Sequence, residues 1–129
     1  MILLWLDDMR NPHESNWLSF SPIAHTEVIW VKSYNEFTKW IKKNGLPDGI
    51  CFDHDLGKEA EQKLRDKGLT KKAARKLKAE EKTGMDCAKW LVEYCMDNQK
   101  ELPLWNIQSS NPVGKINISS LLMNFNNKR

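Results

Sequence analysis

The sequence predicts an α/β fold in which a mainly parallel sheet of about four strands is covered on both faces. Short apolar runs alternate with helix-like segments along the 129 residues, which is typical of chains that build parallel sheets. Several of these runs lack the polar alternation of a half-exposed strand, which indicates burial on both faces. A chain of this length fits one domain, so we expect residues 1–129 to form a single unit.

Four segments have the composition of strands. The first is the run ILLWL at 2–6, and the second is HTEVIWVKS at 25–33. The third is GICF at 49–52, and the fourth is LPLWNIQ at 102–108. The link between the first two strands, about residues 9–24, contains RNPHESNW and is rich in turn-forming residues. We therefore predict a long loop there in place of a helix.

Three segments have the apolar spacing of helices. YNEFTKWIKKNG at 34–45 has an apolar stripe and ends at Gly45, a residue type that terminates helices. GMDCAKWLVEYCMDN at 84–98 also has one apolar face. PVGKINISSLLMNF at 112–125 follows Asn111, a capping residue, and begins with proline, which is favoured at the first helical position.

The composition argues against several classes of protein. No stretch approaches the roughly 18 apolar residues of a membrane span. The amino terminus has neither the basic region nor the cleavage site of a secretory signal, so we expect a soluble cytoplasmic protein without membrane contact. The three cysteines lie in apolar surroundings without close metal-ligand spacing, and we expect buried thiols, not disulfides or zinc ligands.

The formal net charge of +3 is unevenly distributed. Residues 58–82 hold ten lysines or arginines against five acidic residues, a local charge of +5. Their composition predicts a basic helical hairpin inserted into the domain. Two interpretations stay open: a solvated helical surface, or an arm that contacts RNA or another polyanion without sequence specificity.

Acidic residues follow two of the predicted strands. Asp7 and Asp8 end the first strand, and Asp53, His54 and Asp55 end the third. Parallel sheets bind ligands at this carboxyl edge. If the two strands are neighbours, the carboxylates repel one another unless a cation neutralises them, and a hard divalent ion such as Mg²⁺ or Mn²⁺ is suited to oxygen ligands. Either acidic pair alone is also typical of a solvated turn.

A second wall of the site is expected from QSSNPVGKINI at 108–118. A helix that begins here presents backbone N–H groups and a partial positive charge to an anion. Lys115 falls in the first turn, where a cation opposes the helix dipole unless an anion lies in front of it. Gly114 would let backbone approach a ligand closely. The same residues also form an ordinary capping sequence, and the two roles are compatible.

Four motifs together resemble the cyclic-phosphate-processing receiver-like family, which is common in phage and bacterial genomes. They are LLWLDDMRNP, ICFDHDLG, TGMDCAKWLVEY and SSNPVGKINI, in this order. The resemblance implies a receiver-like, flavodoxin-like three-layer sandwich, located in the host cytoplasm if the gene belongs to a phage. We expect metal ligands at Asp7, Asp8 and Asp53, catalytic residues at His54, Asp53, Asp55 and Lys115, and phosphate-binding residues at Arg10, Ser109, Ser110, Asn111, Gly114 and Lys115.

The expected function is metal-dependent opening of a cyclic phosphodiester on an RNA end or in a cyclic nucleotide. In this scheme His54 moves a proton and Asp55 orients the His54 imidazole. Arg10 either binds phosphate or pairs with Asp8. Members of the family tend to have histidine where this chain has Gln108, and an amide does not transfer protons. That departure favours one alternative, a non-catalytic binder of a cyclic nucleotide, RNA or a host protein. A second alternative is a phosphoaspartate switch on Asp53. The sequence argues against it, because it has no separate fifth strand ending in the lysine that receivers carry.

Overall fold

The computed structural model describes residues 1–53, 56, 82–108 and 111–127. In these ranges the chain forms four strands and three α-helices, in the order β1 (Ile2–Leu6), β2 (Glu27–Val31), α1 (Tyr34–Asn44), β3 (Gly49–Phe52), α2 (Gly84–Asp97), β4 (Leu104–Ile107) and α3 (Pro112–Asn127). A short 3-10 helix, Trp17–Phe20, lies in the loop between β1 and β2. The helices and strands that the sequence predicted in these ranges are confirmed.

All four strands are parallel and lie in the order β2-β1-β3-β4. On one side of β1, Trp5 lies opposite Trp30 of β2, and on the other side it lies opposite Cys51 of β3. The prediction of a parallel four-stranded sheet is therefore confirmed. Because β1 and β3 are neighbours, the condition for bringing their terminal acidic residues together is also met.

The chain crosses the sheet in two opposite directions. It moves from β1 outward to β2, then returns past β1 to β3 and continues to β4. Right-handed crossovers that run in opposite directions lie on opposite faces of a sheet. Accordingly, side chains of α1, α2 and α3 pack together on one face, and the loop at 9–24 packs on the other. Both faces are covered, as predicted, and in the described part the second cover is this loop.

Alternation along the strands determines which side chains face which layer. Leu6 and Phe52 belong to the core beneath the helices, whereas Trp5 and Cys51 pack beneath the loop. Successive side chains of a strand point to opposite faces. The residue that follows Leu6 on β1 and the one that follows Phe52 on β3 are thus directed toward the loop side.

Local capping interactions fix the limits of the helices. The Ser33 hydroxyl accepts a hydrogen bond from the Glu36 N–H at 3.1 Å and begins α1. Gly45 ends the same helix with φ of +84°, a conformation that favours glycine. At the start of α2, Thr83 and Asp86 form a reciprocal capping box, in which each side chain accepts a hydrogen bond from the other residue's backbone N–H.

The helical hairpin predicted at 58–82 lies outside the described residues except for Lys82, whose ammonium lies 4.3 Å from the centroid of the Tyr34 ring. The three cysteines are buried free thiols, as predicted. None of the helices in the described ranges combines the length and apolar character that a membrane crossing requires.

Candidate functional site

Three buried aspartates lie together where β1 and β3 end. The Asp7 N–H donates to the Val31 carbonyl at 3.1 Å, and the Asp53 N–H donates to the Leu6 carbonyl at 3.0 Å. These bonds continue the parallel ladder one residue beyond each strand. Asp7, Asp8 and Asp53 each offer a carboxylate oxygen, and these oxygens lie within 4.8 Å of one another. The predicted cluster of acidic side chains is thus present in the fold.

A tight turn follows β1 and is organised by Asp7. Its Oδ1 accepts hydrogen bonds from the backbone N–H groups of Met9 at 3.0 Å and Arg10 at 2.9 Å. Two indoles hold the same turn from the loop side: Trp30 Nε1 donates to the Asp7 carbonyl at 2.7 Å, and Trp5 Nε1 donates to the Arg10 carbonyl at 3.0 Å. The sequence analysis assigned neither tryptophan a part in this site.

Arg10 lies between the turn and the end of β4. Its Nη1 donates to the Gln108 carbonyl at 3.0 Å and lies 3.5 Å from Asp7 Oδ2. The guanidinium carbon also lies 4.9 Å from the centroid of the Trp17 ring, a cation–π distance. Of the two roles expected for Arg10, the ion pair is present, but its partner is Asp7 and not Asp8.

The carboxylate oxygens of the cluster are suited to a hard divalent cation. Asp7 Oδ1 is occupied by the two backbone N–H groups, whereas Asp7 Oδ2 is buried and has no hydrogen-bond donor among the described residues. Burying a carboxylate is costly unless a counter-charge or hydrogen bonds compensate for lost hydration. Mg²⁺ binds through one or two carboxylates and keeps several waters, so the oxygens of Asp7, Asp8 and Asp53 fit its requirements.

The amino terminus of α3 forms the second wall expected from the sequence. Asn111 caps the helix, since its Oδ1 accepts a hydrogen bond from the Gly114 N–H at 3.0 Å. Pro112, the first helical residue, has no N–H. Lys115 lies in the first turn and is exposed, and Gly114 is buried. The cap and the proline therefore leave fewer unpaired N–H groups at this helix end than an uncapped terminus offers.

Four of the predicted site residues, His54, Asp55, Ser109 and Ser110, lie outside the described residues. A neighbour of theirs that is described, Gln108, lies at the end of β4 and is buried, with 4 % of its surface exposed. Sequence reasoning treated Gln108 only as a departure from a family pattern. The signal that could have drawn attention to it is its position, since it follows β4 as Asp53 follows β3.

A parallel β2-β1-β3-β4 sheet with a buried acidic cluster in the crevice between β1 and β3 defines a receiver-like α/β protein of flavodoxin-like topology. The family model for the cyclic-phosphate processing receiver domain matches residues 2–124. The chain belongs to this family, whose name indicates a role in processing cyclic phosphates. No curated protein and no solved structure matches the chain.

Proposed function

We propose that the protein hydrolyses the ring of a cyclic phosphodiester, on an RNA end or in a cyclic nucleotide, at the carboxyl edge of β1 and β3. The observation that carries this proposal is the buried cluster of Asp7, Asp8 and Asp53 at the switch point of the sheet. Ligands of open α/β sheets bind at such a crevice. The family name directs the chemistry toward cyclic phosphates.

The three aspartates would hold Mg²⁺ or Mn²⁺, which when bound supplies positive charge to phosphate oxygens and makes water more acidic. The chain contributes a preformed arrangement of ligands. Asp7 and Asp53 are fixed by ladder hydrogen bonds to Val31 and Leu6, so their backbones need not reorganise when a ligand arrives.

Arg10 and Lys115 are the cationic groups proposed to bind phosphate. The described contacts of the Arg10 guanidinium use Nη1 and the face turned to Trp17. A guanidinium has five N–H donors, so Arg10 can remain tethered and still donate to a phosphate oxygen. Lys115 would approach from α3 together with Gly114, and Asn111, Ser109 and Ser110 complete the proposed phosphate-binding set.

His54 is proposed to move the proton, because it follows Asp53 directly in the chain and histidine is the side-chain type suited to proton transfer near neutral pH. In the hydrolysis, water adds to phosphorus and loses one proton to solvent, one P–O bond of the ring breaks, and protonated His54 gives its proton to the departing oxygen and regains one from solvent. Asp55 orients the imidazole in this scheme.

The test is a screen of the purified protein, with Mg²⁺ or Mn²⁺, against cyclic-phosphate RNA ends, cyclic mononucleotides and cyclic oligonucleotides. Once a substrate is found, His54→Gln should lower kcat by about 10²-fold to 10⁴-fold with little change in substrate affinity. His13→Gln is the matched control, since His13 is an exposed histidine in the loop at 9–24, and it should retain full activity.

Absence of product from every substrate class would contradict hydrolysis. Full activity of His54→Gln would instead keep the hydrolase and remove His54 from proton transfer.

A second function, capture of a cyclic nucleotide, RNA or a host protein without turnover, is favoured by Gln108. Its amide lies buried beside the backbones of Asp7 and Asp53, at the position where members of the family tend to have histidine. The same screen separates the two functions, because a binder retains the ligand unchanged.

RNA contact through residues 58–82 is a further proposal, supported by their charge of +5.

A further inference from the structure

Gln108 has a buried hydrogen-bond acceptor with no donor in the described part of the chain. Its Nε2 donates to the Leu6 carbonyl at 2.9 Å. A carbonyl oxygen only accepts, so this bond fixes the orientation of the amide and turns Oε1 away from Leu6. Among the described residues no donor reaches Oε1, although only 4 % of Gln108 is exposed.

The position of Gln108 brings its amide to the backbone that carries the acidic cluster. The Gln108 N–H donates to the Phe52 carbonyl at 3.0 Å, which sets Gln108 level with Asp53 on the neighbouring strand. From there the side chain crosses the end of β3 to the Leu6 carbonyl, which also accepts the Asp53 N–H. Leu6 directly precedes Asp7 in the chain. The amide group therefore lies beside the backbones of both Asp7 and Asp53.

A comparable amide two residues earlier on β4 has a partner at each end. Asn106 Nδ2 donates to the Phe20 carbonyl at 2.9 Å, and Asn106 Oδ1 accepts from the Ile107 N–H at 2.9 Å. Both ends of that amide are satisfied within the chain. Buried polar atoms without partners are uncommon in proteins and each one calls for a ligand, a water or another explanation.

We propose that Gln108 Oε1 accepts a hydrogen bond from a water of the hydrated cation held by Asp7, Asp8 and Asp53, and thereby positions that water. The inference rests on the cation site of the proposed function. Mg²⁺ keeps several waters when bound to carboxylates, and their hydrogens need acceptors. Groups that bind the ligands of a metal tune its affinity. A neutral amide is suited to this role because it orients water without removing its proton.

Calorimetric titration with Mn²⁺, in the absence of any substrate, tests the assignment. Gln108→Met keeps the length of the side chain and removes both polar atoms, and it should weaken Mn²⁺ binding about 10-fold to 100-fold. Gln108→Glu keeps an acceptor oxygen but replaces the amide that donates to Leu6, and it should bind Mn²⁺ at least as tightly as the wild type. Asn106→Leu, the control on the same strand, should leave the affinity unchanged.

Wild-type affinity in Gln108→Met would overturn the proposal, and so would a wild-type protein that binds no Mn²⁺. Equal weakening in Gln108→Met and Gln108→Glu would assign the effect to the lost bond to Leu6 and also overturn it. These outcomes are independent of the substrate screen, which alone decides whether the protein is a hydrolase.

Discussion

The two carboxylate oxygens of Asp7 have different roles. Oδ1 accepts two backbone N–H groups and holds the turn after β1, whereas Oδ2 lies 3.5 Å from Arg10 and has no hydrogen-bond donor among the described residues. A substitution at Asp7 therefore disturbs the turn together with any bound ion. Asp8 and Asp53 are better positions for separating cation binding from the integrity of the turn.

Burial of Cys51 should make the protein lose stability as the pH rises in the alkaline range. Burial raises the pKa of the Cys51 thiol from 9.0 to about 12. The folded protein keeps the thiol neutral while the unfolded chain ionises it, so this stabilisation is complete below pH 9 and is lost as the pH rises toward 12. Above pH 9, the free energy of unfolding should fall by about 1.4 kcal/mol per pH unit more steeply in the wild type than in Cys51→Ala.

Urea unfolding of the two proteins between pH 8 and pH 11 measures this difference, because the ionisation of other groups is common to both. Parallel curves would contradict a raised pKa at Cys51. Burial also raises the pKa of Cys87, with a smaller contribution from the neighbouring Asp86, and Cys87→Ala should behave in the same way.

The sequence predicted the meeting of Asp7, Asp8 and Asp53 but not the contacts around them. A sequence displays the end of each apolar run and the residues that follow it, and the meeting then requires only that β1 and β3 be neighbours, a condition that the structure meets. The reach of Gln108 to Leu6 and the bond from Trp30 to Asp7 depend on rotamers and strand order. A sequence pattern predicts on which face of the sheet a side chain lies. It does not predict which atom the end of a long side chain contacts.

At the scale of the elements, Gly45 determines how α1 ends. Its φ of +84° and ψ of −176° lie in a region that is almost exclusive to glycine. A Cβ added there would meet no atom within 4 Å, so the cost of a side chain is conformational and not steric crowding by neighbours. Gly45→Ala should lower the free energy of unfolding by about 1–3 kcal/mol.

Urea denaturation measures the effect of Gly45→Ala, with Lys43→Ala as the control. Lys43 is exposed in the last turn of the same helix, so its replacement should change stability by less than about 0.5 kcal/mol. A Gly45→Ala protein as stable as the wild type would show that the helix can end in another conformation.

Each helix and strand was predictable because its pattern is local, whereas the arrangement of layers was not. The periodicity at 34–45 and the apolar run at 2–6 need only a few neighbouring residues to be recognised. Strand order depends on pairing between distant segments, such as β3 with β1. Once the strand order is known, the right-handedness of the crossovers predicts that the loop at 9–24 and the helices lie on opposite faces of the sheet.

At the scale of the whole molecule, a cation at the acidic cluster should stabilise the fold. A ligand that binds only the folded state at 100 times its Kd adds about 2.7 kcal/mol to the free energy of unfolding. Thermal unfolding with increasing Mg²⁺ should therefore show a Tm that rises with concentration. Asp8→Asn and Asp53→Asn should each lose most of this rise, because each removes the charge of one carboxylate ligand.

Asp48→Asn is the control for the thermal measurement. Asp48 precedes β3 at the opposite edge of the sheet, where its Oδ2 accepts a hydrogen bond from the Ile2 N–H at 2.7 Å. The Mg²⁺-dependent rise in Tm should persist in this variant. An equal rise in all four proteins would place the stabilising ion elsewhere.

The ladder hydrogen bonds that continue one residue past β1 and β3 also bear on how a gene for this fold can change in length. One codon gained or lost inside either strand would turn its terminal aspartate toward the helices, because side chains alternate between faces. Codons added beyond the edge leave Asp7 and Asp53 in place, since their positions are set before the loops begin. Residues 58–82 come after Asp53 in the sequence, so a change in their number leaves the register of β1 and β3 unaltered.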